Sequence, residues 1–310
     1  MMNWNLFCYR KAIGLTMLVI WLTAGSAYAQ QEWSYTQYQF NLYDANSAYA
    51  GNHQTLSMAV RHRSQWIGLE GAPATDQVSL HAPVAGNRLG VGFRVVSDRI
   101  GARRQQLAKA SVAYKLSLLN GQLAFGISGG MLRGSIERSD LIAFDANDAQ
   151  LLQMGATRVT PVIGAAFMYN SKRMFFGVES GVLNQSSISA SAGSLARLYR
   201  NLNVVAGYIQ PIGDTDLLEV SSQVKWSESM QWQVELNAQY LYRNKCWLGA
   251  GYRLQSAWQM LAAWMVNDHL RIGLSYDNAI GRVMNCNQSS AELFLGYTLQ
   301  KRAPGSTRYF

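Results

Sequence analysis

The chain has 310 residues, a formal charge of +9, 49% hydrophobic and 15% charged side chains, and none of the basic runs or aromatic RNA motifs of a nucleic-acid-binding protein. Its three cysteines are too few for a disulfide scaffold. Beyond residue 29 no apolar run of about 18 residues supplies a spanning helix, so a membrane location requires a closed barrel, the other fold that leaves no backbone group unpaired in lipid.

Residues 1–29 read as a removable secretory signal, with Arg10 and Lys11 as the positive region, Ala12 to Leu22 as the apolar stretch and Ala27-Tyr28-Ala29 before Gln30 as the cleavage site. No cysteine stands there to take a lipid. The expected mature chain keeps 281 residues, 25 basic and 18 acidic side chains, and two thiols, Cys246 and Cys286. Such a balance usually means solvated loops rather than a specific anionic partner. Residues 30–54 carry Trp33, Tyr35, Tyr38, Phe40, Tyr43 and Tyr49 among Asn, Gln and Ser. That is too aromatic for a disordered tail and too polar for a span. Two readings stay open: a partial plug inside a lumen, or a contact for a periplasmic partner that covers the aromatic patch.

From 55 to 299 apolar and polar residues alternate between turn signals, which predicts an all-β, transmembrane, antiparallel up-and-down barrel of about 14 strands. The expected strands are Thr55 to His62, Thr75 to Ala82, Leu89 to Val96, Leu107 to Leu116, Gly121 to Met131, Thr160 to Met168, Met174 to Val182, Leu202 to Ile209, Leu217 to Trp226, Gln231 to Tyr242, Cys246 to Tyr252, Trp258 to Met265, Leu270 to Tyr276 and Ser290 to Thr298. The tenth is the clearest. Trp232, Val234, Leu236, Ala238, Tyr240 and Tyr242 share one face and Gln231, Gln233, Glu235, Asn237, Gln239 and Arg243 the other, and the aromatic ends suit membrane interfaces. Long and short connections alternate, which puts Leu132 to Val159, Leu183 to Asn201 and Asp277 to Ser289 outside, and Asn170 to Arg173, Arg243 to Lys245 and Val266 to His269 in the periplasm. Cys246 and Cys286 then lie on opposite sides of the membrane, too far apart for a disulfide. Residues 300–310 form a tail ending in Phe310.

No catalytic, cofactor or metal site is legible. His53, His62, His81 and His269 lack the spacing of a zinc site and have no nucleophile motif beside them. His62 and His81 are expected to face each other across the first hairpin, as polar lumen or interface residues. Glycines such as Gly90, Gly92 and Gly126 fall inside strands, where they permit curvature and close packing. Charges on the expected inner faces are of both signs: Arg94, Lys109, Lys115, Glu179, Glu219, Lys225, Glu235 and Arg271. They form either a selectivity field or pairs with one another and with an inserted segment, the reading that mixed signs favour.

Specific motifs occupy the front of the expected mature chain. Tyr35-Thr36-Gln37-Tyr38-Gln39-Phe40-Asn41 precedes Ala45-Asn46-Ser47-Ala48-Tyr49-Ala50-Gly51, and then comes Arg63-Ser64-Gln65-Trp66-Ile67-Gly68-Leu69-Glu70-Gly71-Ala72-Pro73. This resembles the PorP/SprF family of outer-membrane proteins of the type IX secretion system, whose members carry Gln-Tyr-x-Phe-Asn, Asn-Pro-Ala-Tyr-Ala-Gly and Arg-x-Gln-Trp-x-Gly-Phe-x-Gly-Ala-Pro. Ser47 departs from the usual proline, so the fixed φ of that turn is lost. The likeness extends through Leu89-Gly90-Val91-Gly92, Ser128-Gly129-Gly130 and Leu270 to Asp277.

The resemblance implies a non-enzymatic, cell-surface part of type IX secretion or gliding motility. Its implied partners are outer-membrane lipid, the periplasmic ring and lipoprotein components, and a secreted adhesin or sorting-domain cargo. The partner-binding candidates are Tyr38, Phe40, Asn41, Tyr49 and Gly51 in the aromatic segment and Trp66, Gly68, Gly71 and Pro73 on the first long loop. An interface-belt role for Trp66 competes with a binding role. A diffusion porin remains the rival function, and a barrel lipase or protease a third.

Overall fold

The computed structural model describes residues 33–53, 55–84, 88–118, 120–137, 157–184, 199–228, 230–280 and 289–299. The expected signal peptide, the tail 300–310, Cys286 and most of the long connections after the fifth and seventh strands lie outside the described residues. Three short 3-10 turns, Tyr38–Phe40, Leu42–Asp44 and Ser47–Tyr49, precede β1 (Ser57–Ser64), β2 (Ala74–Val84), β3 (Leu89–Ile100), β4 (Arg103–Leu118), β5 (Gly121–Ile136), β6 (Arg158–Ser171) and β7 (Met174–Ser180). The second half comprises β8 (Asn201–Ile212), β9 (Asp216–Ser227), β10 (Met230–Tyr242), β11 (Cys246–Arg253), β12 (Ala257–Met265), β13 (Leu270–Ala279) and β14 (Ser289–Thr298). Each strand pairs antiparallel with its neighbours in sequence, and β1 closes on β14 with Ser57 opposite Thr298 and Ser64 opposite Ala291.

The burial pattern inverts that of a water-soluble sheet protein. Outward positions are exposed and apolar, as with Val60, Val78, Phe93, Val112, Phe125, Ile127, Leu236, Leu248, Met260 and Leu274. Inward positions such as Gln77, Ser79, Ser111, Gln223, Asn237, Gln239 and Gln259 are buried and polar. So continuous an exposed apolar band is costly in water, and lipid removes that cost. Trp232 near the long-loop end of β10 and Tyr242 at its short-turn end are both exposed, in line with interfacial anchoring.

All fourteen strands stand where alternation places them, with three corrections. The first strand is displaced by two residues, so Arg63 is an inward-facing strand residue rather than part of the first loop. The ten-residue third connection shrinks to 101–102, because β3 and β4 pair as far as Ile100 and Arg103. Alternation of apolar residues stops near Val96 because the outward positions beyond it, Ser97, Arg99, Arg104 and Gln106, are polar, while the hydrogen-bond ladder continues past them. His62 and His81 do not meet: His62 lies opposite Asp76, and His81 opposite Ser57. His62 faces outward, bonded to Asp76 at 2.7 Å, and His81 is buried inside the barrel.

The lumen is also less polar than the pattern implies. Toward the short turns its inward residues include Trp247, Leu241, Phe175, Ile209, Leu217 and Leu261, all buried in one cluster with Phe40, Leu42, Tyr43 and Tyr49 of the N-terminal segment. Leu241 and Trp247 break the polar inner row of β10 and β11 because they meet protein, not water.

Candidate functional site

The interior of the barrel is occupied by residues 33–53, and the bonds that hold them give the direction of the chain. Trp33 lies at the long-loop end, where its carbonyl accepts from Lys225 Nζ at 2.8 Å and its ring packs on Val96, Leu107 and Val162. Thr36 and Gln37 come next. Their backbone N–H groups donate to the Glu292 carboxylate at 2.9 and 3.2 Å, and the Thr36 hydroxyl donates to Asp277 at 2.8 Å. Midway, Tyr38 donates to Ser221, and the Tyr43 hydroxyl lies 2.9 Å from that of Ser111. Phe40 packs between Trp247, met edge-on, and Phe294, met at a tilt, ring centroids 6.0 and 5.8 Å away. The segment leaves at the short-turn end, where Gly51 N–H donates to His81 Nδ1 at 3.1 Å and Lys115 Nζ donates to the Gly51 carbonyl.

Buried ions line this path. Arg63 reaches Asp277 at 2.6 Å and Glu292 at 3.3 Å, and Arg61 reaches Asp44 at 3.1 Å and Glu292 at 3.2 Å. Arg253 bridges Glu235 and Asp277 at 2.8 and 3.4 Å. Lys109 pairs with Glu179 at 2.9 Å, and Glu179 also accepts from Ser47 N–H at 2.6 Å. Desolvated charges cost several kcal/mol each unless paired and hydrogen-bonded, so this ladder fixes the segment in one position. Several of its charges sit on strands, and the segment supplies backbone N–H groups, carbonyls, Thr36 and Asp44 in return.

Backbone approach is tight at two glycines. Gly51 has φ +65°, and a Cβ there would stand 2.7 Å from the Ala82 carbonyl oxygen. A Cβ on Gly90 of β3 would stand 1.9 Å from the Ala50 carbonyl oxygen, so the strand glycine makes room for the segment in addition to any effect on curvature. Ser47, the departure from the family motif, begins a 3-10 turn that the Asn46 side chain caps by accepting from Ala48 N–H at 3.0 Å. The N–H it gives to Glu179 is one a proline lacks.

The nine candidate residues fall into two groups that the structure does not bring together. Tyr38, Phe40, Asn41, Tyr49 and Gly51 are all buried inside the barrel. Trp66, Gly68, Gly71 and Pro73 belong to the loop 65–73 between β1 and β2, at the long-loop end. That loop is a compact turn: Gln65 N–H donates to Pro73 O at 2.9 Å, Leu69 N–H to Trp66 O at 3.1 Å and Ala72 N–H to Leu69 O at 3.2 Å. It is anchored to its neighbours by Ile67 N–H on Ser289 O and Gly101 N–H on Gly71 O, both 2.8 Å. Trp66, Gly68 and Gly71 take positive φ of 50°, 95° and 70°. Pro73 is buried and Trp66 half-buried, whereas Ile67 and Leu69 are 51% and 50% exposed. Sequence reasoning passed over these two apolar residues, and also Arg61, Glu292, Asp277 and Arg253, although the inward parity of the charged positions on β1, β11, β13 and β14 was a usable signal.

The family model described as "Type IX secretion system membrane protein PorP/SprF" matches residues 27–297. The chain belongs to the PorP/SprF family. Among curated proteins no match is found. Among solved structures, the Ralstonia pickettii toluene transporter TbuX is similar with a TM-score of 0.50 at 9% identity, over 83% of this chain and 92% of that one. The Acinetobacter baumannii outer membrane protein Omp33 gives a TM-score of 0.46 at 8% identity, over 79% of this chain and 99% of that one. At such identity TbuX speaks to the fold alone. Family and architecture together make this PorP/SprF chain a type IX secretion membrane component with a 14-stranded outer-membrane barrel. Among the described residues no group of three or more His, Cys, Asp or Glu is arranged to hold a metal ion.

Proposed function

We infer that this PorP/SprF protein works by binding, without bond chemistry: the long-loop face holds an exported adhesin or the sorting domain of a cargo, and the short-turn face docks periplasmic secretion or gliding components. The observation that carries this reading is the filled lumen. A barrel whose interior is occupied by residues 33–53, held by buried ion pairs and backbone bonds, is built as a closed scaffold, which disfavours a diffusion porin. A fixed interior leaves the two rims to act, and on the outer rim the described loop 65–73 presents Ile67 and Leu69 on a turn that needs no ordering before it binds. β5 ends and β6 begins on the same rim, at Ile136 and Arg158.

Capture of secreted proteins by the purified, crosslinked barrel tests the reading. Ile67→Ser with Leu69→Ser, or shortening of 138–156, should cut the captured cargo at least tenfold while the barrel stays folded. Undiminished capture by both variants would remove the outer rim from the function. Planar-bilayer recording separates the rival: the intact chain should be electrically quiet, and a steady porin-sized conductance overturns the closed scaffold.

A further inference from the structure

On the outer rim the strands are of unequal height. β4 and β5 run for 16 residues each, against 8 for β1, 7 for β7 and 8 for β11, so one sector of the wall rises beyond the rest at the long-loop end. The outward residues of that sector change character abruptly with height. From Leu118 up to Ala108 the outward row of β4 is apolar, namely Leu118, Leu116, Tyr114, Val112, Ala110 and Ala108. That is ~34 Å along the strand, or ~25 Å along the membrane normal at the usual tilt, the height of a barrel's lipid-facing band. Above it the row continues with Gln106 and Arg104. On β3 the outward row passes from Val91, Phe93 and Val95 to Ser97 and Arg99, and on β5 from Phe125, Ile127 and Met131 to Arg133.

Three arginines therefore stand together on the outer surface of the wall. In register Arg99 lies directly opposite Arg104, and Arg104 opposite Ser135, two residues along β5 from Arg133, which faces Gln106. Directly opposed residues have Cβ atoms about 4.5–5.5 Å apart and diagonal ones about 7–8 Å, and like charges so placed repel. Within the chain it is Arg104 that finds relief. Glu137 reaches Arg104 at 2.9 Å, and Arg104 also donates to the Gly101 carbonyl at 2.6 Å. No described residue pairs with Arg99 or Arg133. Among the described residues Arg99 and Arg133 are thus placed to meet an anion supplied from outside.

The height identifies the anion. The headgroup layer occupies the ~5–8 Å beyond the hydrocarbon on each side. Arg133 follows Met131 by a single outward position, and Arg99 and Arg104 stand about one side-chain length higher, within reach of that layer by bending their stems back toward it. Guanidinium forks match phosphate oxygens two at a time. We propose that Arg99, Arg104 and Arg133 form a binding site for the headgroup phosphate of an outer-leaflet lipid, holding the tall β3–β5 sector of the barrel against the membrane surface. The site faces lipid and is independent of any cargo on the loops.

The test is native mass spectrometry of the full chain, purified in a non-ionic detergent and titrated with diphosphoryl lipid A as probe. Wild-type protein should carry the lipid as a discrete adduct, weakened by raising the salt as expected for exposed charges. The triple variant R99Q/R104Q/R133Q should bind roughly 100-fold more weakly, from about tenfold or less per arginine. The R99K/R104K/R133K variant, which keeps the charge, should stay within about tenfold of wild type. Equal binding of the glutamine variant, or equal binding of enzymatically dephosphorylated lipid A to the wild type, overturns the site. Displacement of lipid A by an equal concentration of inorganic phosphate overturns the lipid as its source. If the glutamine variant fails to fold, the dephosphorylated probe on wild-type protein still decides.

Discussion

Glu292 is the most heavily used side chain in the lumen: Thr36 N–H, Gln37 N–H, Arg61 and Arg63 all converge on its carboxylate. Glu292→Ala leaves two guanidinium groups short of a counter-charge and two N–H groups bare, a loss of about 3–5 kcal/mol by the measure of broken buried pairs. The temperature at which the folded band of the barrel gives way to the unfolded one on a gel should fall accordingly; an unchanged temperature would show that water already serves these groups. Ser47 offers a finer comparison. Ser47→Pro restores the family residue and its fixed φ, worth about 0.4–1 kcal/mol, but removes the N–H donated to a buried carboxylate, worth about 1.5–3 kcal/mol. The second effect is larger, so the proline variant should be the less stable one, and greater stability in the same gel assay would contradict the bond drawn here between Ser47 and Glu179.

At the scale of elements, the strands were legible, while the aromatic segment was left between a lumenal plug and a periplasmic contact. Alternation located all fourteen strands because lipid on one side and a filled lumen on the other impose a period of two on every one of them. It misplaced the top of β3 and β4, where the outward row turns to Arg99, Arg104 and Gln106. Parity set Leu241 on the face of Gln239, but nothing marked Trp247 opposite it as inward, because the apolar partners they meet, Phe40 and its neighbours, come from a stretch with no periodicity. Tyr38, Phe40 and Tyr49 stood out by motif and composition, yet only the hydrogen bonds of Thr36, Ser47 and Gly51 reveal which strands receive the segment that carries them. The fit is testable at Gly90: Gly90→Ala puts a methyl carbon on the Ala50 carbonyl and should force the end of the segment away from β3. The variant should then pass ions in a planar bilayer where the unmodified chain does not, and a silent variant would mean that β3 yields instead.

The whole molecule has a direction: both ends of the strand series stand at one rim, where every described turn is short, and the longer connections stand at the other, beside the short turns 101–102 and 254–256. Cys246 opens β11 at the short-turn rim and is free, so in a Cys286→Ser background a membrane-impermeant maleimide should leave it unmodified in intact cells and label it once the outer membrane is permeabilised. Labelling of intact cells would invert the barrel. The same ends lie beside each other at the seam, where β1 carries Arg61 and Arg63, β14 carries Glu292, and Thr36 sits between them 256 positions before the carboxylate that receives it. A ribosome makes Thr36 long before Glu292, so the segment in the lumen has its berth completed only when β14 has been made. The threaded stretch thus works as the clasp of a bracelet: its fastening at Thr36 and Gln37 waits for the final hairpin, and once made it ties the segment to the join that the β1–β14 ladder and the Arg61 and Arg63 ion pairs also hold.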